Sequence, residues 1–336
     1  MAKCIRCGSR ATHYVSYVRG GFCREHFLEY VEERVVRTVE RYKMIPRGSR
    51  VVVAVSGGKD SIVLLHALAK HRDEIGYSEL VAVHINLGIR GYSEEAERVS
   101  LENCEKLGVK CIVINLREVL GVGVEELSRK ARRPACSVCG LVKRYVLNAV
   151  ALALGADVLA TGHHLDDILV YTFKNMLSAS MEELAKLTPV SPGVKGLLVT
   201  RIRPLFEVYE ENTLAYVTAA GLTYLATECP LKHLGVVERE SREYLERLEK
   251  QIPGFKLTVA RNMLKTIARE KAPESPGRCE LCLMPSRDRI CSFCRLTEKA
   301  LGKPMGEHVV KTINDIVGKL AVGEVKIEKV QQTEVS

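Results

Sequence analysis

The run Val51-Val52-Val53-Ala54-Val55-Ser56-Gly57-Gly58-Lys59-Asp60-Ser61 constrains the fold more than any other stretch of this 336-residue chain. Its unbroken apolar half reads as a strand buried on both faces, the kind found in parallel sheets. The strand empties into a glycine turn and then a helix start. Gly57 and Gly58 let the backbone approach an anion, Ser56 and Ser61 supply hydroxyls, and a helix beginning near Asp60 presents free N–H groups and its positive dipole end. The run is therefore a candidate phosphate loop. It is not a Walker loop, because the lysine falls inside a shorter Ser-Gly-Gly-Lys-Asp-Ser turn.

Further apolar runs at 80–86, 110–115 and 157–161 predict strands, alternating with helix-period segments at 60–72, 93–107, 140–154 and 166–178. A strand near 197–203 and a helix near 208–220 follow, and 237–270 reads as charged amphipathic helices. The alternation predicts an α/β fold with a parallel sheet covered on both faces. Ligands then sit beyond the carboxyl ends of the strands, which carry Ser56-Gly57-Gly58, His84-Ile85-Asn86 and Thr161-Gly162-His163. The charge run from Glu238 to Glu249 reads as a solvated helix face.

Lys and Arg total 50 against 41 Asp and Glu, a net charge of +9 that suits a polyanionic partner. No segment reads as a membrane span, and Met1-Ala2-Lys3-Cys4 runs straight into a cysteine pair instead of a signal peptide, so a cytoplasmic protein with no membrane partner is expected. Twelve cysteines in such a chain point to metal or redox chemistry. Cys4, Cys7, Cys23 and His26 form two close pairs, as a tetrahedral structural zinc requires, and Cys279, Cys282, Cys291 and Cys294 repeat the pattern with four thiolates. Two bound Zn2+ ions are expected, and a helix from Phe27 to Tyr42 should link the first module to the core. Cys104 and Cys111 have no partner pattern and read as core residues.

Cys136, Cys139 and the later Cys229-Pro230 make three cysteines where a zinc ribbon needs four. Three readings fit: an iron-sulfur cluster on three thiolates with one iron open, a redox pair at Cys136 and Cys139, or structural thiols. Lys143 lies one helical turn beyond Cys139 and can share its face. In Gly162-His163-His164-Leu165-Asp166-Asp167 the carboxylates suit a helix cap, a metal ligand or a base, and the histidines read as exposed loop residues near phosphate. Arg129, Lys130, Arg132 and Arg133 are candidate phosphate-backbone contacts beside the cysteine pair, or else a solvated helix end.

The loop Ser56 to Ser61 is similar to the pyrophosphate loop of the N-type ATP pyrophosphatases. With Arg132 to Gly140, Gly162 to Asp167, Arg203-Pro204-Leu205, Cys229-Pro230 and both terminal cysteine sets, residues 1–296 resemble the tRNA 2-thiouridine synthetases. The resemblance implies an adenine nucleotide alpha-hydrolase-like, Rossmann-like core between N- and C-terminal zinc modules. It implies an ATP-dependent tRNA sulfurtransferase that adenylates uracil O2 and inserts sulfur at C2. Cys136, Cys139 and Cys229 would hold a 4Fe-4S cluster, and Lys143 and Asp167 would be catalytic. ATP, with Mg2+, would meet Ala54, Ser56, Gly57, Gly58, Lys59, Asp60, Ser61, Ile85, Gly162 and Asp167. Sulfur would come from a thiocarboxylate on a ubiquitin-like carrier protein or from hydrosulfide, and the enzyme would be a homodimer. The stretch His84 to Ile89, the Arg132-Arg133-Pro134 lead-in and Lys143-Arg144 resemble the branch acting on the T-loop uridine or ribothymidine at position 54 more than the wobble-uridine branch, and the two terminal cysteine sets make the cytidine branch the poorer match.

The expected organisation is a zinc finger at 1–30, a connecting helix at 31–48, the catalytic domain at 49–235, helices at 236–272, a zinc ribbon at 273–297 and a tail at 298–336 without assigned role.

Overall fold

The computed structural model describes residues 2–233, 235–267 and 275–321, so the stretch from Lys326 to Ser336 lies outside the described residues. The N-terminal segment is a hairpin of β1 (His13–Val15) and β2 (Gly20–Phe22), from which the helix Arg24–Arg41 leads to the sheet. That sheet contains β3 (Arg50–Ala54), β4 (Glu79–Asn86), β5 (Lys110–Asn115), β6 (Val158–Ala160), β7 (Val190–Ser191) and β8 (Thr200–Ile202), in the order β5-β4-β3-β6-β8-β7. All neighbours are parallel except β7, which runs antiparallel to β8. The mostly parallel sheet matches the expectation, and the antiparallel edge is an addition to it. Residues 192–199 between β7 and β8 are too few for a crossover of about a dozen residues, so the chain folds straight back.

The order places β3 between β4 and β6, with later strands added outward on either side. Connections leave β3 and β6 in opposite directions, which opens a crevice at their carboxyl ends. Strand alternation sorts the apolar side chains into two layers. Val52, Val81, Val83, Ile112 and Leu159 pack with the helix Ala135–Ala153, whereas Val51, Val53, Ala82, Val158 and Ala160 pack with the helices Arg24–Arg41, Lys59–Lys70 and Glu210–Ala220. A third cluster joins Leu165, Ile168, Leu169, Phe206 and Tyr209 to Leu245 and Ala260 from the helices Val236–Gln251 and Phe255–Ile267.

The helix Ala135–Ala153 begins earlier than the apolar periodicity predicts and carries Cys136 and Cys139 in its opening turns. Contrary to expectation, its length and hydropathy would suffice to cross a membrane. Val138, Val142, Tyr145, Val146, Ala149 and Val150 instead bury themselves in the core. The short helices Leu116–Leu120 and Val124–Ala131 are additions to the sequence reading.

The C-terminal cysteines belong to the same core. They flank a ladder of β9 (Gly277–Arg278) and β10 (Pro285–Ser286) and the start of the helix Ser292–Leu301. Phe293 stacks on Tyr145 with ring centroids 3.8 Å apart, and the Tyr145 hydroxyl donates to the Gly306 carbonyl at 3.0 Å. The helix Gly306–Ala321 buries Val309, Ile313 and Val317 against this layer.

Candidate active site

The loop after β3 is locked by its own hydroxyls. Ser61 Oγ donates to the Gly58 carbonyl at 2.8 Å and accepts from the Ser56 N–H at 3.0 Å, with Ser56 Oγ 3.1 Å away. Gly58 is the N-cap of the helix Lys59–Lys70 and provides no capping side chain, so the first-turn N–H groups are directed at whatever sits in the loop. Gly57 has φ +81°, and a Cβ there would come within 2.8 Å of the Ala96 carbonyl oxygen. Gly57→Ala is therefore expected to cost on the order of 1–3 kcal/mol of loop strain and to weaken ATP binding. Isothermal titration with ATP checks this, and unchanged affinity would sink it. Gly162 is needed for a different reason: a Cβ would press on Ser61 N at 3.1 Å, so the loop after β6 can lie against the phosphate loop.

A cavity of about 510 Å³ opens at these strand ends. Its wall includes Ala54, Ser56, Gly58, Asp60, Ser61, Ile85, Lys143, Gly162 and Asp167, so most of the expected nucleotide residues meet in one place. Gly57 and Lys59 are not part of the wall. Lys59 Nζ is held by Asp60 at 2.9 Å and Glu210 at 3.1 Å.

Beneath the wall lies an ionic network built from distant segments. Arg242 binds Asp167 at 2.8 Å and Glu210 at 2.7 Å, and the buried Lys256 binds Asp166 at 2.6 Å as well as Glu246. Asp166 also accepts the Glu210 N–H at 2.8 Å, so it secures the start of the helix Glu210–Ala220 instead of its own helix. His164 caps that one, accepting the Asp167 N–H at 3.4 Å. Burial disfavours the Glu210 charge, yet His164, Lys59 and Arg242 outweigh it and hold its carboxyl down at about 2. The histidines are not the exposed loop residues expected. His164 is 2 % exposed, and burial pulls His163 down to about 4, so its ring is neutral beside Thr161. Glu210, Arg242 and Lys256 carry no motif and were not legible in the sequence. The charge run 238–249 is likewise not wholly solvated, since Arg242 reaches the site and Glu249 is buried, accepting the Gly254 and Lys256 N–H groups.

Cys136 is exposed at the start of the helix Ala135–Ala153, while Cys139 and Cys229 are half-buried beside it. The Leu231 carbonyl lies 3.5 Å from the Cys136 sulfur, and the Leu225 N–H donates to the Gly57 carbonyl at 2.8 Å, which ties the segment bearing Cys229 to the phosphate loop. Burial raises the Cys139 thiol, Lys143 opposes that through charge and a hydrogen bond, and the neighbouring Cys229 and Cys136 add to the rise. Cys136, Cys229 and Lys143 are thus all near enough to Cys139 to shift its thiol, and Lys143 also lines the cavity. Among the described residues they do not converge as tightly as the two four-ligand groups. A cubane distributes its thiolates over separate irons and so asks for a wider spacing than a single ion.

In those two groups, Cys4, Cys7, Cys23 and His26, and Cys279, Cys282, Cys291 and Cys294, the ligand atoms lie within 4.8 Å of one another, a spacing that could hold a metal ion. Cys104 is buried and Cys111 half-buried, as expected of core residues. Arg129, Lys130, Arg132 and Arg133 are all exposed around the end of the helix Val124–Ala131, directly before the cysteine pair.

A PP-loop domain family matches residues 29–230. Over 296 residues the chain is 40% identical to tRNA-5-methyluridine(54) 2-sulfurtransferase from Pyrococcus horikoshii, covering 87% of this chain and 93% of that protein. The enzyme of the same name from Thermus thermophilus is 37% identical over 87% of this chain and 90% of its own length. The solved structure of the U34-tRNA thiolase NcsA from Methanococcus maripaludis with its 4Fe-4S cluster aligns with a TM-score of 0.76 at 27% identity, covering 89% of this chain and 95% of that one. Phosphate loop, crevice and three-thiol region thus sit in a chain that belongs to the PP-loop family of tRNA 2-sulfurtransferases.

Proposed function

We propose that this protein is an ATP-dependent enzyme that replaces O2 of the T-loop uridine or ribothymidine of tRNA, at position 54, with sulfur. The carrying observation is that Lys143 both neighbours the Cys139 thiol and lines the cavity to which the phosphate loop contributes. Position 54 is favoured because identity to the two enzymes named for that nucleotide is 40% and 37%, against 27% for the U34 thiolase.

In the first half-reaction uracil O2 bonds to the α-phosphorus of ATP and the bond to the β-phosphate oxygen breaks, releasing pyrophosphate. Ser56 to Ser61 and the first turn of the helix Lys59–Lys70 hold that leaving group. Asp167 presents a carboxylate to the cavity as a ligand for Mg2+ or an acceptor for a proton. In the second half-reaction sulfur at the sulfide level bonds to C2, the C2–O2 bond breaks and AMP leaves with that oxygen; hydrosulfide gives up its proton in this step, and a thiocarboxylate donor has its carbon–sulfur bond broken by water, which leaves the carrier's carboxylate. A 4Fe-4S cluster on Cys136, Cys139 and Cys229 supplies, when bound, an iron with a position open to sulfur. The Lys143 ammonium offsets negative charge on the incoming sulfur and on the departing phosphate.

The sulfur donor is a carrier-protein thiocarboxylate or hydrosulfide. Both four-ligand groups are assigned to zinc: thiolates about 2.3 Å from a tetrahedral zinc stand roughly 3.8 Å apart, and the Cys7–Cys23 and Cys282–Cys291 sulfurs are separated by 3.9 and 3.7 Å. The catalytic part is taken as residues 49–235 and the zinc modules as 1–30 and 273–297. A cytoplasmic homodimer is the assigned working state, supported by exposed Met176, Leu177 and Val236 on helices that pack together.

Nucleoside analysis of tRNA after incubation with ATP, Mg2+ and sulfide tests the reading. Thiolated base mapped to position 54 supports it, and sulfur at the wobble uridine or on a cytidine overturns it. Lys143→Ala is expected to lower thiolation on the order of 10²-fold or more while retaining ATP binding. A variant as active as the native protein would remove Lys143 from the mechanism.

A further inference from the structure

Two guanidinium groups in the nucleotide cavity have no anionic partner at hydrogen-bonding distance. Arg144 and Arg201 both line the wall, and among the described residues neither guanidinium makes a hydrogen bond or ion pair. Arg201 Nε is sealed from solvent and unsatisfied. Burial, then the nearby Arg144 charge, pulls Arg201 below the ordinary guanidinium value, with Glu183 opposing only in third place. Its neighbour in the strand shows the contrast: Arg203 binds the Thr188 carbonyl, the Ser191 hydroxyl at 3.1 Å and the Lys186 carbonyl at 3.1 Å. Leaving a charged donor buried without a partner is costly, so Arg201, with the exposed Arg144 beside it on the same wall, marks a place for an anion.

A second cavity, of about 330 Å³, lies between the helix Ala135–Ala153 and the C-terminal cysteine module. Arg144, Asn148 and Leu198 line both cavities. Arg144 lies across Gly140, where an added Cβ would come within 3.2 Å of its guanidinium. The floor of the second cavity includes Leu141, Met284, Pro285 and the stacked Tyr145–Phe293 pair. Apolar and aromatic side chains sharing a wall with a guanidinium and with the polar Ser286, Asp288 and Ser292 suit an unpaired nucleobase.

We infer that the two cavities form one groove for an unpaired RNA strand, the reacting nucleotide in the first, an adjacent nucleotide in the second, and Arg144 with Arg201 gripping the phosphodiester between them. This rests on the tRNA reading above and adds to it the residues that position the strand. A polymer is favoured over ATP as the source of the phosphate because Arg144 faces both compartments, whereas the phosphate loop and the helix start after it already provide for ATP at β3.

The test is tRNA binding by the full-length protein as a function of salt, for Arg144→Gln, Arg201→Gln and Arg201→Lys. Each glutamine variant is expected to weaken tRNA binding on the order of tenfold and to flatten the slope of log K against log salt by about 0.7, the contribution of one single-strand phosphate contact. Arg201→Lys should restore the slope while remaining weaker, since it keeps the charge and loses the fork. ATP affinity should be retained. Wild-type tRNA affinity and slope in the glutamine variants overturns the proposal, as does a loss confined to ATP binding, which would assign both arginines to the nucleotide's own phosphates. Arg144 is exposed, so its variant decides the matter even where Arg201→Gln fails to fold. Binding needs no turnover and nucleoside analysis does, so groove and reaction can fail separately.

Discussion

Cys136→Ala is expected to abolish tRNA thiolation while ATP binding and the zinc content survive. The side chain is exposed, so its removal takes nothing from the core and leaves no cavity behind. What disappears is one of three thiolates, and a cubane left with two protein ligands is not retained. The measurement is iron and acid-labile sulfide per chain after anaerobic purification. About four of each in the native protein, lost in the variant, is the expected pattern. Iron retained in full by Cys136→Ala would sink the three-thiolate assignment. Zinc alone in the native protein, unchanged after reconstitution with iron and sulfide, would redirect the chemistry to a persulfide at Cys136 and Cys139. Cys229→Ala should match Cys136→Ala in iron loss, although it lies on a separate segment held near the phosphate loop through Leu225.

The largest loss of stability is expected from Cys294→Ser. All four cysteines of that group are buried, and they belong to the layer that contains Phe293, Tyr145 and the helix Ala135–Ala153. Apparent zinc-binding free energies in small modules are about 10–16 kcal/mol, and much of that is folding free energy. Breaking the set should therefore cost at least several kcal/mol. Thermal unfolding with zinc quantified before and after is the check, and an unchanged midpoint in zinc-free variant would refute it. Activity should fall with stability, because Tyr145 follows Lys143 and Arg144 on the same helix. The N-terminal group offers an internal comparison. Cys7 is exposed, unlike the four buried cysteines of the C-terminal group, so Cys7→Ser should be the milder change.

The parts of the site legible in the sequence are those written in short-range spacing. A strand buried on both faces leaves an unbroken apolar run, which is why β3, β4, β5 and β6 fall close to their expected positions. Metal ligands in close pairs are equally local, as are Cys139 and Lys143 on one helical face. The ionic network was not legible, because Asp60, Asp167, Glu210 and Arg242 meet only after the chain has folded. Asp166 shows the ambiguity in one residue: its position beside a helix start suggests a cap for that helix, yet Lys256 and the Glu210 N–H take both its oxygens. His163 and His164 look exposed because their loop is polar, yet His164 is enclosed by Asp60, Asp167 and Glu210 and His163 turns to Thr161 on the cavity wall. The antiparallel β7 is set by loop length, which an apolar pattern does not report.

The helix Ala135–Ala153 carries Cys136, Cys139, Lys143, Arg144 and Tyr145 in succession. At about 1.5 Å of rise per residue it acts as a ruler, spacing the proposed sulfur site, the lysine, the proposed strand clamp and the contact with the C-terminal cysteine module along one rod. Any closure of the protein around its substrate must carry these groups together, so motion on binding falls to the RNA and to surrounding loops. The distance from sulfur to the reacting carbon is then governed by how deeply the nucleotide seats, and selection among tRNA nucleotides becomes a matter of which strand can be drawn in far enough.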